Sequence, residues 1–181
     1  MHKLILSGGI AALTLVSAGA FAADTTDATK AAPSDKQNMV QQGNWLGTIA
    51  GSVSTTNSVT TTTTALTGGY MVTNNIGVGL KIAYNAVQSN NNFTGFAAAR
   101  YYFDPQPNKT WVPFIGPFVG YNKPSGGTNS TIYGGNIGLD YFVAPNVSLE
   151  PTANYFHTTG SGFSTNTWSF AFGLTFWFAG K

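Results

Sequence analysis

The chain has 181 residues, of which 43% are hydrophobic, 14% aromatic and only 8% charged; it has no cysteine and a formal net charge of +2. A soluble domain ordinarily carries about 25% charged residues, so eight basic and six acidic side chains are too few to coat a water-facing globule of this size. The small net charge without a basic stripe excludes nucleic acid as a partner, the aromatics argue against bulk disorder, and no apolar window is long enough for a membrane-spanning helix.

In chain order, the first element is a targeting segment. Met1-His2-Lys3 is a short positive region, Leu4 to Val16 is mostly apolar, and Ala20-Phe21-Ala22 is a small-x-small cleavage site. This predicts a signal peptide over 1–22, cut after Ala22, in preference to a membrane anchor, for which the apolar stretch is too short. Residues 23–43 are rich in Thr, Ala, Asp, Lys and Gln and carry five charges (Asp24, Asp27, Lys30, Asp35, Lys36). They read as a flexible leader. With no cysteine, no disulfide framework holds the exported domain together.

The body, 44–181, alternates with a period of two. From Trp168 to Phe178 every even position is large and apolar (Trp168, Phe170, Phe172, Leu174, Phe176, Phe178), and most odd positions are small. Ile76 to Asn85 and Tyr133 to Val143 repeat the pattern. Successive strand side chains point to opposite faces, so these are three strands. Weaker alternation places five more at about 44–54, 61–72, 93–103, 111–121 and 147–157, eight in all. Each has roughly the 9 to 11 residues that a tilted strand needs to cross a bilayer. Pro113, Pro117 and Pro151 cannot donate to a ladder, so bulges or strand breaks are expected there.

The connections fall into two sets. Those at 73–75, 104–110 and 144–146 are set against 55–60, 86–92, 122–130 and 158–166, which are rich in Ser, Thr, Asn and Gly. In an even-stranded barrel the two sets lie at opposite ends, short periplasmic turns at one and longer external loops at the other. Aromatic residues sort toward strand ends as two girdles: Trp45, Tyr70, Tyr101, Phe103, Trp111, Tyr141, Phe176 and Phe178 at one, Tyr84, Tyr121, Tyr133, Tyr155 and Trp168 at the other. An outward face of Phe, Leu, Ile, Val and Tyr across eight strands is tolerable only in lipid. Only a closed barrel satisfies its backbone there. The inverse arrangement, a soluble barrel with its apolar side inward, would need a charged exterior; the opposite face here is Gly, Ala, Ser and Thr.

Arg100-Tyr101-Tyr102-Phe103, Pro113-Phe114-Ile115-Gly116, Gly138-Leu139-Asp140-Tyr141-Phe142 and Gly173-Leu174-Thr175-Phe176-Trp177-Phe178 resemble the small eight-stranded outer-membrane β-barrel family, the outer membrane protein A, X and W-like transmembrane barrels. The likeness covers about 44–178. It implies an all-β, antiparallel up-and-down barrel in the outer membrane of a Gram-negative envelope, reached through the periplasm. Its implied partners are outer-membrane lipid, lipopolysaccharide and the barrel-insertion machinery. The family's closing strand ends on an aromatic insertion signal; Phe178 fits that role, although Ala179-Gly180-Lys181 follow it.

With the outward faces set, Lys81, Arg100, Asp140 and Glu150 all point into the lumen and sum to zero. They are expected to meet across it as one ion-pair network, joined by the lumen polar residues Tyr102, Asn136 and Asn154. Such a cluster suits a selectivity filter or a salt-bridged plug. The inward rings of Phe96, Phe114, Phe118, Phe142 and Phe156 favour the plug. His157 lies at the external rim beside Thr158 and Ser161, with no carboxylate in reach and no second metal ligand near it. No cofactor or metal is expected. The sequence therefore predicts a non-catalytic outer-membrane barrel with a structural or surface-interaction role; a narrow porin-like channel for small or apolar solutes is the alternative, and an outer-membrane enzyme ranks below both.

Overall fold

The computed structural model describes residues 39–56, 59–87, 90–106, 109–124 and 129–180. The expected signal peptide, 1–22, and the leader before Met39 lie outside the described residues. Eight strands follow one another: β1 (Trp45–Thr56), β2 (Val59–Met71), β3 (Ile76–Val87), β4 (Asn90–Tyr102), β5 (Trp111–Pro124), β6 (Ser130–Ala144), β7 (Val147–Gly160) and β8 (Phe163–Phe178). Each pairs antiparallel with the next, and β1 pairs with β8 from Trp45↔Phe178 to Thr55↔Trp168, closing the barrel. No strand edge is left open, which is what an acyl environment requires.

The alternation in the sequence is the alternation of the two faces. Leu80 is 70% exposed, Phe170 71% and Leu66 60%, while Lys81, Ala171 and Ala65 beside them are covered to varying degrees. Side chains this apolar and this exposed form a continuous belt around the barrel. At its edges, rings pair across neighbouring strands: Trp45 with Tyr70 (4.8 Å) at one end, Tyr84 with Phe93 (5.2 Å) and Tyr155 with Trp168 (4.8 Å) at the other. From Trp168 to Phe178 the strand advances about 33 Å, or about 25 Å across the membrane at a tilt of about 40°. That matches an apolar band of about 25 Å between two girdles. The belt makes this a transmembrane barrel.

The connections differ from the expectation. At the end away from the chain termini, the strands run on through segments read as loops: β7 extends to Gly160 and β8 starts at Phe163, joined by Ser161-Gly162, with Gly162 at φ +83°. Ser, Thr and Asn look like loop by composition, but threonine's branched Cβ favours a strand once a partner is present. The connection Phe103–Thr110 lies at the end that holds the termini, as expected, but it is longer than the short turns expected there. There Asp104 adopts φ +46°, and the Lys109 ammonium, helped by Gln106, hydrogen-bonds its carboxyl and holds it below the usual carboxylate range.

The prolines are accommodated without bulges at their own positions. The β4–β5 ladder skips Ala99 and Arg100 opposite Gly116 and Pro117, then resumes in the same register. The β6–β7 ladder likewise lapses where Leu139 and Asp140 face Glu150 and Pro151. Among the described residues the one register shift lies at Phe142/Ala144, beside Pro145. The leader boundary also moves. Met39–Gly43 pack with the barrel: Val40 is fully buried, Gly43 N donates to Met71 O (2.9 Å), and the Asn44 side chain ties Met39 O to Gly180 N.

The belt predicts a sharp asymmetry around Lys81. Leu80→Lys, one residue away but on the lipid side, should cost about 2–4 kcal/mol, and Trp45→Lys at the girdle about 0–1 kcal/mol, in urea unfolding from lipid vesicles. Equal costs at the two positions would contradict the placement of Leu80 at mid-belt and Trp45 at the girdle.

Candidate functional site: the barrel lumen

The lumen is layered. At the terminal end, Val40, Leu46, Met71, Tyr102, Val112, Phe114 and Trp177 form one buried cluster, each no more than 6% exposed, with Met39 and Phe142 against it. Tyr102 packs on Phe114 (ring centroids 5.6 Å) and Trp177 (6.1 Å). Trp177 donates its indole N–H to Ser148 Oγ (3.1 Å), and Ser148 donates to Asp140 Oδ1 (2.6 Å). The sequence singled out Tyr102 here but missed Val40: alternation cannot reveal a residue that enters the lumen from outside a strand.

Directly above this cluster, Arg100 from β4 reaches across to Glu150 on β7. Nη1 donates to Oε2 and Nη2 to Oε1, both at 2.8 Å. Thr175 donates a further bond to Oε2 (2.9 Å) and itself pairs with Thr48 (2.8 Å). The guanidinium lies 4.4 Å from the Phe114 ring centroid. This stacking has a local cause. Gly138 faces Phe114 across the β5–β6 ladder, and a Cβ there would lie 2.4 Å from the ring tip, so only glycine lets the ring lie where Arg100 stacks on it. Bidentate pairing, added hydroxyl bonds and stacking are what a buried ion pair needs to offset its desolvation.

The structure pairs two of the four predicted charges and leaves the other two outside the ion pair. Asp140 faces Glu150 across the lapse in the β6–β7 ladder, a like charge, and turns to Ser148 instead of joining Arg100. Lys81 pairs in the ladder with Phe96, whereas Gly77 pairs with Arg100; Lys81 is therefore four residues, about 13 Å, further along β3. Its ammonium lies over the Phe96 ring, 5.5 Å from the centroid, and it makes no ion pair among the described residues. The expected single network is thus one ion pair, with Asp140 and Lys81 near it but unpaired with it. Asn154 donates weakly to Ser169 O (3.4 Å), and Asn136 lines the lumen without joining the pair. Phe178 ends β8 on the lipid face, opposite Trp45.

Beyond Lys81 the lumen turns polar. Thr63 donates to Asn85 (2.6 Å), Asn85 to Thr94 (3.2 Å) and Thr94 to Asn122 (3.3 Å), linking β2 to β5. A cavity of about 280 Å³ extends from this polar part, lined by Thr63, Asn85, Thr94 and Lys81, down to the ion pair and the top of the buried cluster, where Arg100, Glu150, Tyr102 and Leu46 line it. Of the five inward rings expected, Phe96 and Phe118 pack edge to face (5.8 Å) and Phe118 meets Phe156 (6.3 Å), so they narrow the cavity from one side only.

No family model matches the sequence, and no curated protein matches it. Solved structures do. Neisserial surface protein A superposes with a TM-score of 0.58 at 18% identity, over 75% of this chain and 96% of that one. The N-terminal β-barrel domain of Pseudomonas aeruginosa OprF gives 0.56 at 14% identity, over 75% and 98%. The outer membrane protein OprG of Pseudomonas aeruginosa gives 0.55 at 14%, over 77% and 97%. The fold is that of the small eight-stranded outer-membrane barrels.

Breaking the ion pair should be expensive. Glu150→Gln is expected to destabilise the folded barrel by about 3–5 kcal/mol, and Arg100→Met/Glu150→Leu together should recover much of that loss. Asp140→Asn, which keeps the Ser148 acceptor, should cost far less. A cost for Asp140→Asn equal to that for Glu150→Gln, read from denaturant midpoints, would restore the single network.

Proposed function

Starting from an outer-membrane barrel of this small kind, we propose that the lumen is closed and that the protein works through its outside, as a structural or surface-interacting component of the membrane. One observation carries the reading: the seven-residue cluster at the terminal end, from Val40 to Trp177, is buried throughout, so no column of water passes it. Arg100 and Glu150 neutralise each other directly above it, which leaves no ring of like charge to select an ion. The reading assigns no catalysis to the lumen. The apolar belt and its girdles support lipid and lipopolysaccharide as its surroundings, and the exposed Phe178 at the end of the closing strand supports its reading as the insertion signal.

In a planar bilayer the refolded protein should show no discrete conductance steps. Folding is checked independently by heat-modifiable gel migration, the unboiled barrel running at a different size from the boiled chain. Reproducible open steps from the folded form would replace this reading with the narrow channel.

A further inference from the structure

The geometry points to a serine esterase centre on the outward face of the β7–β8 hairpin, with Ser164 as nucleophile, His157 as general base and Asn166 as the residue that orients it, acting on acyl esters of membrane lipids. His157 sits directly opposite Asn166 in the β7–β8 ladder, and Ser164, two residues before Asn166, shares its face. His157 Nδ1 lies 2.8 Å from Asn166 Oδ1, and Ser164 Oγ lies 3.0 Å from His157 Nε2. The amide oxygen can only accept, so Nδ1 carries the proton. The lone pair on Nε2 then accepts the Ser164 hydroxyl. A hydroxyl on a base whose other nitrogen is held by a third group is the arrangement that activates a serine.

Its position supplies the substrate class. Tyr133, opposite His157 on β6, packs its ring 5.2 Å from the imidazole, and the Tyr155–Trp168 pair lies immediately on the membrane side. These rings belong to the girdle, at the level where acyl chains give way to head groups and where lipid ester carbonyls lie. Below them, exposed Phe170 and Phe172 offer an apolar track for the acyl chain. Above, exposed Thr159, directly opposite Ser164, offers its hydroxyl as a donor for a developing oxyanion.

In the reaction, Ser164 Oγ adds to the ester carbonyl carbon as its proton passes to His157 Nε2. Collapse breaks the bond to the alcohol oxygen, which leaves with that proton. Water, deprotonated by His157, then cleaves the acyl-Ser164 ester, releasing the fatty acid and restoring the hydroxyl. Asn166 is a positioning residue: a neutral amide fixes the tautomer but does not stabilise the imidazolium as a carboxylate does, so the enzyme is a slow one. In the sequence His157 lies beside Thr158 and Ser161 with no carboxylate in reach; the ladder pairs it with Ser164 and an asparagine. None of this depends on whether the lumen is closed.

The test uses the full barrel refolded in phosphatidylethanolamine vesicles, with folding verified by heat-modifiable migration. A fluorophosphonate probe should label Ser164, and fatty-acid release should fall at least ~100-fold in Ser164→Ala and ~10-fold in Asn166→Ala, the scale of a lost nucleophile–base pair and of a lost orienting group. Asn166→Asp should match or exceed wild type, a rescue that a merely structural hydrogen bond would not give. Absence of label on Ser164 in the folded barrel, or equal release from wild type and Ser164→Ala, overturns the proposal, whatever the conductance measurement shows.

Discussion

The closing ladder between β1 and β8 is the constraint on which the molecule depends. Without it, two strand edges would present unpaired amides and carbonyls to acyl chains, each costing several kcal/mol. Closure fixes the rest: every side chain points either to lipid or into the lumen, with no third place to go. The prolines obey the same constraint. Pro117 and Pro151 sit where one ladder lapses for two positions while the other ladder of the same strand continues, Pro117 opposite Gly135 and Pro151 opposite Phe172. The missing donors are absorbed locally and the register survives.

Inside, the chemistry grades from apolar to polar along the axis. The terminal end holds a core resembling that of a small soluble protein, completed by Val40 from the segment before β1. The Arg100–Glu150 pair sits on that core, its guanidinium held by Phe114 over Gly138 and its carboxylate by Thr175. Beyond it the Thr63–Asn85–Thr94–Asn122 chain lines a cavity. A lumen apolar at one end and polar at the other is stabilised like a globular protein, by packing, while the exterior is stabilised by solvent lipid. The two surfaces answer to different solvents, and this explains why so few charges suffice.

The outside is not uniform either. Trp168 and Tyr155 mark a boundary above which Ser164, Asn166 and Thr159 extend the strands as a polar rim. Strands that continue past the girdle place polar side chains on a rigid ladder instead of on loops. Rigid placement makes a short hydrogen-bonded row of Ser164, His157 and Asn166 geometrically possible.

The fold was legible because period two is local: Trp168 to Phe178 or Ile76 to Asn85 declares its two faces without reference to any other strand. The inward direction of Lys81, Arg100, Asp140 and Glu150 was legible for the same reason. Which of them meet was not. That depends on register between strands, and register placed Lys81 opposite Phe96, a layer away from Arg100, and set Asp140 beside Glu150. The burial of Val40, the continuation of strands through Thr-rich segments and the company of His157 likewise follow from pairing across the barrel. Alternation along one strand determines which way a residue faces; only closure of the eight-stranded ladder decides its height and its neighbours, because hydrogen bonds between strands, not within them, set both.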